Sequence, residues 1–178
     1  ENYYRFDPVV NIISVGEKHF RTQISVGDTS FVSMYGFPLL YGSPARAFRN
    51  NLSAVVTEGF ARKFFGRSDV MDQVIAVQTP ADGGRHQFVI TAVLKSLPDN
   101  TVTGFTTIPY DVFLPMDANQ YFQGGDKGDD WSNVFMVEMI ELKKGISPRE
   151  LEQPLQQILD KYQPPFAKGQ LKVQLAAM

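Results

Sequence analysis

Residues 53–66, SAVVTEGFARKFFG, constrain this chain more than any other stretch, because a β-prone run turns there directly into a helix. Ala54, Val55 and Val56 form the apolar strand run. Thr57 is placed to cap the helix through its hydroxyl, and Glu58 suits the positive end of the helix dipole. Phe60, Ala61, Phe64 and Phe65 recur at helical spacing, which gives one apolar stripe, while Glu58 and Arg62 pair four apart on the wet side. Gly66 is free to take the left-handed conformation that ends a helix. A buried strand covered by its own helix follows, with Phe64 expected between helix and sheet. None of these residues carries chemistry, so the unit is scaffold.

Around that unit the hydrophobic periodicity alternates between strand and helix. Residues 9–15 and 20–26, joined around Gly16 and Glu17, predict a hairpin or a pair of neighbouring strands, with Phe20, Thr22, Ile24 and Val26 on one face and His19, Arg21 and Gln23 on the other. Asp28 or Thr29 is positioned to cap one helical turn over 31–35, which Gly36 ends and Pro38 prevents from continuing. Residues 42–44 predict a turn, from which 45–51 lead into the strand. Beyond Gly66, 74–77 and 86–95 predict a second hairpin across 79–85, where Asp82, Gly83 and Gly84 favour reversal. Its second strand sets Phe88, Ile90, Ala92 and Leu94 against Val89, Thr91 and Val93, so both faces are expected to be covered.

Residues 105–114 are strand-like but interrupted by Pro109, 117–132 loop-like, and 134–142 a strand. Ser147, Pro148 and Glu150 then start a helix in capping-box fashion. Its face of Leu151, Leu155, Ile158 and Tyr162 is expected to pack on a sheet, with a kink at Pro154 or a helix that properly begins later. Pro164 and Pro165 stop it, and 171–178 predict a last strand with Leu171, Val173 and Leu175 inward. Because that strand is cut short, the chain is expected to be an excised domain. The order implies an α+β fold, with two helices on one face of a mixed sheet and a smaller β-rich middle lobe.

Chemistry is sparse in this pattern. His19 and His86 have no companion ligand at metal spacing, and cysteine is absent, which leaves no thiolate site or disulfide framework. Gly124, Gly125 and Gly128 lack the Lys-Ser/Thr ending of a phosphate loop. Asp126, Asp129 and Asp130 do not match a calcium-loop spacing, so they fit a solvated turn better, and Trp131 beside them fits core better than a stacking platform. A formal charge of −2 gives no electrostatic case for nucleic acid, and no window approaches the ~20 apolar residues of a membrane span. No catalytic, cofactor or metal residue is therefore assigned.

Several runs taken together resemble a known family. FVSMYGFPLLYG at 31–42, AVVT at 54–57, ARKFFG at 61–66, FVITAVLKSLPDN at 88–100, YDVFLP at 110–115 and the region 131–162 are similar, in that order, to the MacB-like periplasmic core domain of FtsX/MacB-class ABC transporter permeases. After the helix-ending glycine the family pattern carries an acidic residue and then Pro-Ile-Gly, where this chain has 67–72, RSDVMD; where the family often has Gly this chain has Ala92.

The resemblance implies one extracytoplasmic domain over 1–178, with a porter-like lobe of mixed sheet from 1–67 and 130–178 and an inserted β-rich lobe over 68–129. It also implies a non-catalytic part of a permease, without cofactor, that passes motion from membrane helices absent from this chain to a substrate, lipoprotein or partner protein. The implied setting is the periplasmic face of the bacterial inner membrane. The implied partners are a cytoplasmic ABC ATPase domain or subunit, a periplasmic or outer-membrane protein or lipoprotein, and a second copy in a dimeric transporter. Two alternatives remain beside it: a secreted ligand- or carbohydrate-binding module using Trp131, and a hydrolase using Glu58, Asp111 and Glu138.

Overall fold

The computed structural model describes residues 3–79, 81, 83–96, 109–123 and 136–175. The first hairpin is longer than its sequence pattern: β1 (Tyr3–Val15) pairs antiparallel with β2 (Lys18–Gly27) from Phe6↔Gly27 to Val15↔Lys18. The extension includes Tyr4 and Phe6, aromatic residues that alternate with Arg5 and suit a pleated surface. The short helix α1 (Phe31–Tyr35) ends at Gly36 with φ 62°, but its N-cap is Ser30 and no side chain caps it. A strand β3 (Leu39–Tyr41) and a helical turn α2 (Pro44–Ala47) follow; neither was expected.

The central unit is as expected. β4 (Ser53–Thr57) is buried except at Thr57 and leads straight into α3 (Glu58–Phe65), where Phe60 N–H donates to Thr57 Oγ1 at 3.1 Å and Gly66 closes the helix at φ 74°. Phe64 is 3 % exposed, stacked on Phe60 at 4.2 Å between ring centroids.

β5 (Val74–Thr79) and β6 (Gly84–Leu94) form the second hairpin, and β7 (Val112–Pro115) starts after Pro109. A 3-10 turn (Met116–Asn119) and α4 (Gln120–Gln123) then occupy the described part of a segment expected to be loop. β8 (Val137–Ile140) is shorter than its pattern, and α5 (Pro148–Tyr162) runs unbroken from Pro148 with Pro154 inside it.

The eight strands among the described residues belong to one mixed sheet. Its order β2-β7-β4-β6-β5-β1 returns on itself, because β1 also pairs with β2, and β8 adds to the start of β1. Among the described residues only β2–β7 and β4–β6 are parallel. Each of the six strands in the ring contributes to one core, among them Ile13, Ile24, Val56, Ile75, Phe88 and Leu114, and α3 adds Phe60, Ala61 and Phe64. The other face carries a second, aromatic core of Tyr4, Phe6, Phe31, Phe113, Val55 and Leu94, covered by α1 and α2.

Among the described residues of 68–129, β5, β6 and β7 are hydrogen-bonded to β1, β4 and β2, and their apolar faces join the same core. Two expectations are corrected. Helices cover both faces instead of one, and α5 has no buried residue; Ile158 and Tyr162 are exposed. Residues 171–175 form no strand, because the backbone N–H groups of Val173 and Leu175 donate to Gln156 Oε1 and Glu152 Oε1 on α5 instead of to a ladder.

One difference is local. The alternation of β6 breaks at Thr91, where the register with β4 shifts between Ala54 and Val55. The extra residue moves Ala92 and Leu94 to the aromatic core and leaves Phe88, Ile90 and Val93 in the first.

Candidate functional site

Two of the junctions that polar side chains make between elements carry several hydrogen bonds each, and both are structural in their geometry. At the first, Thr57 Oγ1 donates to Asp111 Oδ1 at 2.8 Å while accepting from Phe60 N–H, and Thr57 N–H donates to the Asp111 carbonyl at 2.9 Å. The cap of α3 is thereby fixed to the start of β7. At the second, Arg5 grips Asp28 with two guanidinium bonds of 3.0 Å, reinforced by Arg5 N–H to Asp28 Oδ2 and by Asp28 N–H to the Arg5 carbonyl, both 2.9 Å. The paired carboxylate raises the Arg5 pKa, so the guanidinium stays charged. Ser30 Oγ donates to the Tyr3 carbonyl at 2.6 Å beside it. This clamp joins the beginning of β1 to the loop before α1, and sequence alone gave no sign of it, since the partners stand far apart with no spacing rule to link them.

Behind the clamp, Tyr4 is buried with its hydroxyl 2.8 Å from Ser25 Oγ, and burial drives its pKa well above the ordinary phenol range. Burial pushes the Tyr35 hydroxyl the same way.

The residues weighed for chemistry are not brought together. Asp111 is held by Thr57; Glu58 binds Arg62 at 2.8 Å and accepts from Ser96 Oγ at 3.2 Å; Glu138 is exposed on β8, opposite Arg5 in the register. Arg62 is the main cause that holds the Glu58 carboxyl below its ordinary value. His19 Nδ1 lies 2.8 Å from Ser14 Oγ on the first hairpin, and His86 stacks on Tyr121 at 4.0 Å. No group of three His, Cys, Asp or Glu suited to a metal occurs among the described residues. Gly124, Gly125, Asp126, Gly128, Asp129, Asp130 and Trp131 lie outside the described residues.

Within 67–72, where this chain departs from the family pattern, Asp72 adopts φ 61° in the turn before β5. Asp tolerates the left-handed region better than most side chains, so the turn survives without glycine.

A closed mixed sheet with helices on both faces, fastened at the ends of its first strand and first long helix, defines a structural α+β domain. The chain belongs to the family of MacB-like periplasmic core domains of ABC transporter permeases, whose profile matches residues 4–158. No curated protein sequence matches it. Among solved structures it is similar to a domain assigned to a permease protein from Porphyromonas gingivalis, with TM-score 0.65 and 22 % identity over 92 % of this chain and 70 % of that one. The periplasmic region of MacB from Actinobacillus actinomycetemcomitans is similar with TM-score 0.65 and 12 % identity, covering 90 % of this chain and 66 % of that one. The extracellular domain of the noncanonic ABC-type transporter YknZ from Gram-positive bacteria gives TM-score 0.58 and 10 % identity, covering 86 % and 69 %. At these identities the likeness is one of fold. No helix among the described residues is long and apolar enough to cross a membrane.

Proposed function

We propose that this chain is the non-catalytic extracytoplasmic domain of an ABC transporter permease, and that it transmits motion from flanking membrane helices to a periplasmic substrate, lipoprotein or partner protein. The observation that carries this reading is the pairing of the first and last strands. β1 and β8 are antiparallel neighbours, with Tyr3 opposite Ile140, so the chain comes back beside the start of β1 before it continues into α5. A segment looped out between two membrane helices needs such a return.

A displacement applied at the start of β1 enters the closed sheet directly, through the ladder to β2 and the Arg5–Asp28 clamp. Hydrogen-bonded strands sharing one core have few soft joints, so the domain moves as a body. ATP hydrolysis belongs to a cytoplasmic ATPase partner, and two copies act together in the transporter.

The reading frame that encodes this chain is expected to place transmembrane helices on both sides of it. In the intact transporter, spin labels on the exposed sites Lys18 and Arg46 should keep their mutual distance through ATP turnover while their distance to the membrane helices changes. A reading frame without flanking helices, or labels that move relative to each other but not to the membrane, overturns the proposal.

A further inference from the structure

One cleft, away from both junctions, gathers cationic side chains without an equal set of anionic ones. It measures about 390 Å³ and is lined by the turn at Gly42 and Ser43, by Arg46, Arg49, Met71 and Asp72, and by Thr91. That volume lies within the range of small-ligand pockets, roughly 300–1,000 Å³.

Its walls are set by backbone contacts. On one side, Thr91 Oγ1 bonds the Ala47 carbonyl of α2 and lies 3.2 Å from the Ala54 carbonyl of β4, which holds α2 on the sheet with Ala47 fully buried. Gly42, at φ 90°, lies so close that a Cβ there would stand 2.8 Å from the Thr91 carbonyl oxygen. On the other side, Asp72 N–H donates to the Ile90 carbonyl at 2.9 Å, and Ile90 N–H to the Gln73 carbonyl at 2.8 Å. Both walls are thus fastened to β6, and neither needs to move to admit a ligand.

The charges do not balance. The Arg46 guanidinium has no ion-pair or hydrogen-bond partner among the described residues, and Arg49 Nη2 stands 3.6 Å from Asp72 Oδ1, with both side chains exposed. An exposed bridge of that length contributes little, so Arg49 is readily exchanged to another acceptor. Two guanidinium groups against one carboxylate leave an excess positive charge, and guanidinium forks match carboxylate and phosphate oxygens in pairs.

We propose that this cleft binds a small oxyanion, a carboxylate or phosphate group, with Arg46 as its primary ligand and Arg49 joining by exchange from Asp72. The inference does not rest on the transport reading, since it concerns only the charge and geometry of this cleft.

The test is a low-salt titration of the whole chain with inorganic phosphate and, separately, with succinate, followed by backbone amide shifts. Saturable shifts confined to residues 42–49, 70–73 and 91 are expected. Saturation with phosphate alone, succinate alone or both supports the site and names the group it prefers.

Arg46→Gln should weaken binding at least about fivefold, as expected for loss of a charged hydrogen-bond donor. Asp72→Asn should tighten it about threefold, because it frees Arg49 while Asn still tolerates the positive φ. Both positions are exposed, so an unchanged unfolding midpoint shows that the variants fold. No saturable shift at these residues with either anion, or weakening by Asp72→Asn comparable to that by Arg46→Gln, overturns the proposal.

Discussion

Thr57 serves two elements with one hydroxyl, capping α3 and holding Asp111 at the start of β7. Thr57→Ala is therefore expected to cost about 1–2 kcal/mol, at the upper end for a lost cap. Urea unfolding checks it; a loss no larger than that of an ordinary surface substitution would show that the Asp111 contact adds nothing. Phe64 tests the packing of the same helix, because its ring is buried against Phe60 and edged by Phe20 at 5.3 Å. Phe64→Ala should cost about 3–5 kcal/mol. A loss under about 1 kcal/mol would mean that the site collapses freely around the gap.

Glu58, held by Arg62 and Ser96, supplies a pH dependence at this scale. Its folded-state pKa is lowered, so its contribution is present above the unfolded value near 4.3 and is lost as pH falls through the folded value. Parent and Glu58→Gln should differ in stability at neutral pH and converge in acid. Denaturation curves on both sides of the carboxylate range check this, and a gap that stays constant would remove Glu58 as its source.

At the scale of elements, the hairpins and the strand-to-helix unit follow from local pattern, whereas the bulge in β6 does not. Phe88 to Leu94 alternate without fault in sequence, yet the register slips at Thr91, whose hydroxyl reaches the Ala47 and Ala54 carbonyls. The slip satisfies polar groups on a covering helix that the sequence did not announce. Thr91→Val keeps the shape and removes those bonds, so about 1–3 kcal/mol of stability should be lost by leaving a buried acceptor unpaired. Thermal or chemical unfolding measures it, and a neutral outcome would mean the bulge is set by packing alone.

α5 shows the opposite lesson. Its start was legible from Ser147 and Glu150, whose carboxylate accepts from Ser147 N–H at 2.9 Å, but its apolar stripe finds no burial among the described residues. A stripe predicts that a face wants cover and cannot say which surface supplies it.

For the whole molecule, closure of the sheet sets the order of opening. β4 and β6 are paired on both sides within the ring, and residues 53–56 and 90–94 are buried on both faces, while α5 has no buried residue. Amide hydrogen exchange should therefore be slowest in β4 and the second half of β6, at rates reporting global unfolding, and faster in α5 by local opening. Equal protection of α5 would show that it is coupled to the core. The same closure ties the described strands from 68–129 to the first, second and fourth strands.

By itself, the sequence of this protein determined the elements whose signals are local: the hairpin turn at Gly16, the cap and stop of α3 at Thr57 and Gly66, and the Pro148 start of α5. These depend on backbone conformations and hydrogen bonds spanning a few residues, so side-chain identity is enough to specify them. It also determined the family, whose profile matches residues 4–158. Only the tertiary structure decided that the sheet closes through β1, that Thr91 breaks the alternation of β6, that Arg5 meets Asp28, and that Arg46, Arg49 and Asp72 line one cleft. Each of those joins residues distant in sequence, and what selects them is the requirement that every strand bury its apolar faces and pair its backbone groups at the same time, a condition no short stretch of the chain can express.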